Sequence, residues 1–356
     1  MLTGVDTLPA AMGPLCVLVT ASGAPGTAAL VRALRANGER KIRIVGCDQS
    51  DRAVGRLLCD AFVRVPPGSS PLFPEAVLQL CRRERVDAVL PQSSHELPSL
   101  AEARAEFASG GITVLVSSPE AIRTATDKAA CYELFDEIGV RGPAWRRARG
   151  GRELARTAHE LGYPRRPVCF KPVRGSGSRG FRVLDPTVDR LHQLFEERPG
   201  RLAMRLEEVA ELLPEVGGEE LLVMELAEGP ERTVDGVAAG GRILIGYPKT
   251  REAVRAGLAM YFETLPDDGI VEVARRIVAT LGLDHFFNVQ LVGDVVVEVN
   301  PRISTIVYQE DLNLPYLGLK TALGEIDAAE LEAHARRARP TRRALRYFDQ
   351  LEWDEE

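Results

Sequence analysis

From Leu15 onward, short runs of aliphatic and β-branched residues alternate with longer stretches whose apolar positions recur three and four apart. CVLVT at 16–20 predicts a strand and 21–26 a turn. The next stretch predicts a helix with Leu30, Val31 and Leu34 at core spacing. IRIVGCD at 42–48, DAVLP at 87–91 and ITVLVS at 112–117 predict further strands. Such alternation predicts an α/β unit with a parallel, doubly wound sheet, placed at residues 14–124 after a loose leader at 1–13.

The texture then changes. A helix is expected over 126–138, stopped by Gly139, and Gly150-Gly151 opens another that ends near Leu161. Strands are expected at 167–173 and 180–184 around a glycine-rich loop, and again at 220–226. The runs 233–239 and 242–247 read as an antiparallel pair. A helix at 270–281 ends at Gly282, and 286–292 folds back on 295–300 as a hairpin. This second segment is α+β, and no internal repeat is present.

Composition narrows the function classes. Across 356 residues, 45% hydrophobic and 27% charged is an ordinary globular mixture, enough for two or three domains. A net charge of -6 gives no reason to expect nucleic acid or an acidic membrane as partner. The six cysteines form no Cys-x-x-Cys pair, and no run has the length of a membrane span. No signal peptide is evident, so a cytoplasmic protein is expected. Arginines at 336, 337, 339, 342, 343 and 346, followed by acids from Asp349 onward, read as a charged, self-paired helix or tail at 326–356.

Two constellations carry chemistry. Gly175-Ser176-Gly177-Ser178-Arg179-Gly180 matches G-x-G-x-x-G, but β-branched and aromatic residues follow rather than a helix, so it is no dinucleotide fingerprint. It reads as a lid between two strands, with Lys171 entering it and Arg174 and Arg179 within, suited to phosphate oxygens. An ordinary surface hairpin is the plain alternative. In Val297-Glu298-Val299-Asn300-Pro301-Arg302, residues two apart share a face, so Glu298 and Asn300 project together. With Gln290 of Phe287-Asn288-Val289-Gln290 they offer hard oxygens suited to magnesium; an edge strand facing water is the competing reading. Sharing a site requires Gln290 to pair with Glu298. That predicts an odd, three-residue hairpin loop with a glycine-assisted bulge, since a two-residue turn at Gly293-Asp294 would pair Gln290 with Val297.

FNVQ, EVNPR, Thr126-Asp127-Lys128, Phe170-Lys171-Pro172 and the lid occur in the order seen in ATP-grasp enzymes. The chain resembles the branch of the carbamoyl-phosphate synthase large subunit and its single-module relatives over about residues 15–325. The resemblance implies a Rossmann-like pre-ATP-grasp domain, then an ATP-grasp domain at 125–325. That domain would comprise a small lid lobe at about 140–224 and a larger catalytic lobe at about 225–325. It implies that Lys128, Lys171 and the lid backbone at Gly175, Ser176, Gly177 and Ser178 contact nucleotide phosphates. Glu225, Leu226 and Ala227 would hold adenine, and Glu231 would hold ribose, unless it pairs with Arg232 or Arg251. Gln290, Glu298 and Asn300 would bind magnesium, two ions in number, with manganese as a substitute. Arg302 and Lys171 would be catalytic. Arg251, Arg255 and Arg302 would meet substrate, the first two in the cationic stretch 247–257 where relatives line the acceptor pocket.

The implied activity is ATP-dependent formation of a C–N bond from a small-molecule carboxylate and an amine through an acyl phosphate, with a homodimer as one assembly option. Only one module is present and no glutaminase, so carbamoyl phosphate is not implied as product. Carboxyphosphate formation from bicarbonate is the alternative, followed by a silent nucleotide sensor or an NAD-dependent oxidoreductase built on Gly23-Ala24-Pro25-Gly26 and Asp48.

Overall fold

The structure, a computed structural model, describes residues 12–175, 179–196, 202–255, 258–304, 311–339 and 341–354. It forms two compact units, Met1–Val116 with Arg302–Ala338, and Ser117–Pro301 with Arg339–Glu356.

In the first unit β1 (Leu15–Val19), α1 (Thr27–Arg35), β2 (Ile42–Asp48), α2 (Gly55–Leu58), β3 (Ala61–Arg64), α3 (Phe73–Glu84), β4 (Ala88–Leu90), α4 (Leu97–Ser109) and β5 (Thr113–Val114) follow one another. All five strands are parallel, in the order β3-β2-β1-β4-β5. The central strands are apolar at successive positions because both faces are covered: Val17, Leu18, Val19, Ala88, Val89 and Leu90 are fully buried. The strand expected over 112–117 pairs only at Thr113 and Val114.

The second unit opens with α5 (Pro119–Thr126) and α6 (Lys128–Glu137). The single helix expected over 126–138 therefore begins later, because Asp127 is extended and caps α6, accepting from Ala129 N at 3.1 Å and Ala130 N at 3.0 Å. A first sheet, ordered β6-β10-β7-β8-β9, is built from β6 (Trp145–Arg149), β7 (Val168–Pro172), β8 (Arg182–Leu184), β9 (Ala203–Met204) and β10 (Glu220–Glu225). Between these run α7 (Gly150–Glu160), α8 (Arg190–Phe195) and α9 (Leu206–Leu212), and Leu154, Leu206 and Val209 join Phe170, Leu184 and Val223 in its core. β6 was not anticipated. As an edge strand it buries only Ala148 fully, so its sequence reads as a charged run.

A second, antiparallel sheet, ordered β12-β11-β14-β15, contains β11 (Glu231–Ala239), β12 (Arg242–Thr250), β14 (His285–Val292) and β15 (Val295–Asn300). β13 (Tyr261–Glu263) and α10 (Asp268–Leu281) connect its halves; α10 contributes Ala274, Ile277 and Val278 to a core shared with Phe287, Val289 and Val299. α11 (Leu314–Ala322) and α12 (Ala328–Arg337) belong to the first unit, and β16 (Arg343–Leu345) returns to the second, antiparallel to β13.

These units divide the chain elsewhere than at 124/125 and 325/326. The reason is packing: Asn313 Nδ2 donates to Ala33 O at 2.7 Å, Lys320 Nζ pairs with Glu39 at 2.8 Å, and Arg40 pairs with Glu325. The arginine-rich stretch is likewise split between α12 and β16. Arg343 pairs with Glu263 of β13 at 3.2 Å rather than with the acids that follow it. Among the described residues no helix is long and apolar enough to cross a membrane.

Candidate functional site

The lysines come together first. Lys128 opens α6, directly after its Asp127 cap, and its Nζ donates to Gly175 O at 2.6 Å. Lys171, on β7, donates from Nζ to Val297 O at 3.0 Å and to Tyr132 Oη at 3.2 Å, and lies 5.3 Å from the Tyr132 ring centroid. Burial lowers the pKa of both ammonium groups, while the carboxylate of Glu298 acts against that on each. Lys128 and Lys171 share a cleft of about 720 Å³ with Glu298 and Gln290. The glycine loop does join two antiparallel strands, β7 and β8, and Gly175 and Arg179 line the same cleft. Ser176, Gly177 and Ser178 lie outside the described residues.

Met224, Glu225, Leu226 and Ala227 form one wall, where β10 ends. The Glu225 backbone is fixed on both sides, its N donating to Ala144 O at 2.9 Å and its O accepting from Cys169 Sγ at 3.7 Å. Glu231 and Arg251 line the cleft together: Arg251 Nε stands 3.3 Å from Glu231 Oε2, the pairing that competed with the ribose role. Arg232 instead reaches Asp267 at 2.6 Å. Arg255 is not among the residues lining the cleft; its guanidinium stacks 5.2 Å from the Phe348 ring centroid. Arg302 belongs to the first unit, where its Nε donates to Ser94 Oγ at 3.1 Å. Ala256 and Gly257 of the cationic stretch lie outside the described residues.

The hairpin brings Gln290 opposite Glu298 by a route the sequence reading did not foresee. Val292 pairs with Val295, so the turn is the two residues Gly293-Asp294 and not three. The ladder then slips by one residue: Leu291 faces Val296 but Gln290 faces Glu298, which leaves Val297 as a bulge. The unpaired carbonyl of Val297 is the one that accepts from Lys171 and from Tyr132 Oη, the latter at 2.9 Å. The same slip thus aligns the metal candidates and supplies an acceptor for the lysine.

Behind these side chains stands a buried polar row. Asn300 Nδ2 donates to Glu298 Oε2 and to Asn288 Oδ1, both at 3.3 Å, and Gln290 Nε2 donates to Asn288 Oδ1 at 3.0 Å. Asn288 in turn donates to Asp235 Oδ1 at 2.9 Å, and Asp235 pairs with Lys249 at 2.8 Å. Among the described residues no cluster of three His, Cys, Asp or Glu is placed to hold a metal. The candidate set has one carboxylate and two neutral amides, an oxygen donor set with a single formal charge that suits a hard cation sharing its shell with phosphate oxygens. Tyr132, Asp235, Lys249 and Asn288 were not singled out in the sequence. The available signals were a charge between valines in Thr233-Val234-Asp235-Gly236-Val237 and an amide inside the apolar run of β14.

Comparison with known proteins agrees with this layout. Residues 218–343 match the family described as ATP-grasp in the biosynthetic pathway with Ter operon, and residues 17–115 match the PylC-like N-terminal domain. The arginine-specific carbamoyl phosphate synthase large chain of Bacillus subtilis is 26% identical over 269 residues, covering 71% of this chain and 24% of that one. The chain thus spans about a quarter of this relative's length. Among solved structures, biotin carboxylase from Campylobacter jejuni superposes with a TM-score of 0.62 at 17% identity, covering 87% of this chain and 71% of that one. L-amino acid ligase from Bacillus licheniformis gives 0.62 at 16%, covering 91% and 77%. The chain is thus similar to ATP-grasp proteins over residues 218–343, with a stretch similar to a PylC-like N-terminal domain ahead of it at 17–115.

Proposed function

We propose that the protein is an ATP-dependent ligase that activates a small-molecule, amino-acid or peptide carboxylate as an acyl phosphate. An amine then captures the acyl group, forming a C–N bond with release of ADP and phosphate. The observation that carries this reading is the meeting of Lys128, Lys171, Gln290 and Glu298 in one cleft that is also lined by Met224, Leu226 and Ala227 around the end of β10. Adenine fits against Met224, Leu226 and Ala227, ribose against Glu231, and the phosphates between the two lysines. Gln290, Glu298 and Asn300 would hold magnesium, as two ions or with manganese in its place, which would offset phosphate charge when bound. Lys171, held by Val297 O and Tyr132, orients the transferring group, and Arg251, which lines the cleft, is the guanidinium offered to the acid substrate. The lid shields the acyl phosphate from water. All six cysteines are unpaired, as suits a reducing compartment such as the cytoplasm.

Likeness to a carbamoyl phosphate synthase large chain favours a second reading, in which bicarbonate is the acid and carboxyphosphate the intermediate. Release of ADP and phosphate, measured across amino acids, dipeptides and bicarbonate with and without amines, separates the two. An amino acid or peptide that triggers ADP release supports the ligase. Release with bicarbonate alone supports carboxyphosphate, and release with neither, despite nucleotide binding, sinks both.

A further inference from the structure

An amide side chain has two ends of similar shape and opposite polarity, and only the oxygen end can bind a cation. Two of the three proposed magnesium ligands, Gln290 and Asn300, are amides, so the site works only if both are turned the right way. We propose that Asp235 is a positioning residue that sets this direction, acting through Asn288. The inference rests on the metal reading above.

The relay runs in one direction. Lys249 Nζ lies 2.8 Å from Asp235 Oδ2, and the two side chains are 2% and 1% exposed. So paired, the carboxylate only accepts hydrogen bonds. Asn288, 3% exposed, lies against it and therefore turns its N–H₂ end that way, donating to Asp235 Oδ1 at 2.9 Å and also to Thr233 Oγ1. Its oxygen then faces the other side, where it accepts from Gln290 Nε2 and Asn300 Nδ2. Asn300 is held twice in the same sense, since Glu298 Oε2 also accepts from its Nδ2. With both N–H₂ groups occupied at Asn288, the oxygens of Gln290 and Asn300 are the ends left for a cation. Turning Asn288 over would set its oxygen against the Asp235 carboxylate and its N–H₂ against two others. The alternative arrangement is thus penalised at every contact.

A purely structural explanation of the ion pair is weak. Burying two charges carries a desolvation cost that their attraction must first repay, and the pair is often no more stable than an apolar replacement. A neutral residue at 235 would fill the space, but it would not dictate which end of Asn288 faces it.

The test is Mn²⁺ binding, read by electron paramagnetic resonance in the presence of a non-hydrolysable ATP analogue, because one carboxylate binds the ion weakly without phosphates. Wild-type protein should bind, and Glu298→Gln should lose most of that binding; absence of Mn²⁺ binding to wild type would overturn the metal reading and this inference together. The double variant Asp235→Asn/Lys249→Met removes both charges at once. It should weaken Mn²⁺ binding about tenfold or more, the usual scale when a group that orients a metal ligand is lost. Nucleotide affinity measured with chelator and no metal should stay within about twofold. Asn288→Ala cuts the relay at its middle and should do the same; it decides alone if the double variant does not fold. Wild-type Mn²⁺ affinity in a folded Asn288→Ala or double variant overturns the relay while leaving the metal site standing.

Discussion

Lys171 shows how much of this site depends on where a single charge is held. Its ammonium is fixed by Val297 O, by Tyr132 Oη and by the Tyr132 ring, and it lines the cleft from there. Lys171→Ala should leave the fold intact and weaken ATP binding about tenfold or more, since hydrogen bonds to charged groups contribute about 1.5–3 kcal/mol. Calorimetric titration with ATP checks it, and wild-type affinity in the folded variant would remove Lys171 from the site. Glu96 is the opposite case, a titratable group the sequence reading passed over. Its carboxyl is 2% exposed and accepts from Thr20 Oγ1 at 2.7 Å, Ser93 N at 2.8 Å and Gln92 N at 2.9 Å. Burial outweighs those bonds and the nearby Arg302, and pushes its pKa up from 4.5 to about 7. A raised folded pKa means the native state binds the proton more tightly than the unfolded chain. This contribution is therefore complete below pH 4.5 and is lost as pH rises through 7, about 3 kcal/mol in all at 1.36 kcal/mol per unit. Glu96→Gln keeps an acceptor oxygen and never ionises. Relative to wild type it should gain stability between pH 5 and pH 8, as read from denaturant midpoints. A difference that does not change with pH would show that Glu96 does not titrate there.

At the scale of elements, the hairpin of β14 and β15 is where the period of two and the real backbone part company. Alternation correctly pairs Gln290 with Glu298 once a shared site is demanded, but it cannot tell a three-residue loop from a two-residue turn with a bulge. Both shift the register by one. The turn chosen has Gly293 at φ +58°, where a Cβ would lie 2.7 Å from Glu228 O, so it packs against the segment that leads into β11. Gly293 N also donates to Pro230 O at 3.0 Å, and its carbonyl accepts from Arg232 at 2.6 Å. Gly293→Ala should therefore cost about 1–3 kcal/mol through left-handed strain, with the backbone contact adding to it. Thermal melting checks the loss; an unchanged midpoint would mean that the turn yields freely. Elsewhere legibility followed burial. The strands β1, β2 and β4 are apolar runs because both faces are covered, and all three were readable. β6 was hidden because an exposed edge lets Arg146, Arg147 and Arg149 stand in a strand. The break between α5 and α6 was written as Asp127 before a helical run, an N-cap signal overridden by the continuous helical pattern around it.

For the molecule as a whole, the order of motifs disclosed the fold and the cleft, while the path of the chain between compact units was not readable. Sequence neighbours after Pro301 leave the second unit, and 339–356 come back to it. Nothing in local periodicity encodes such a return, because it depends on pairs far apart in the chain. Here β16 completes a two-stranded ladder with β13, and Tyr247 Oη donates to Arg339 O at 2.8 Å. Thr264 N donates to Arg342 O at 2.8 Å, Arg346 N donates to Met260 O at 2.7 Å, and Arg255 stacks on Phe348. All these contacts clamp the stretch 247–264, which carries Arg251 and Val254 into the cleft. A chain truncated after Ala338 should keep both main sheets but lose that clamp. Each backbone hydrogen bond contributes about 1 kcal/mol net, and in a unit of this size 1 kcal/mol shifts the midpoint by about 2–4 °C. The truncated protein should therefore melt several degrees lower, and trypsin should cut faster after Arg251 and Arg255 as the backbone bonds of Arg251 to Glu231, Glu252 to Tyr261 and Arg255 to Leu258 open. Limited proteolysis followed by mass spectrometry distinguishes this from general loosening, which would speed cleavage after Arg82 and Arg83 of the first unit equally. Unchanged cleavage at 251 and 255 would mean that the returning segment rests on this stretch without holding it.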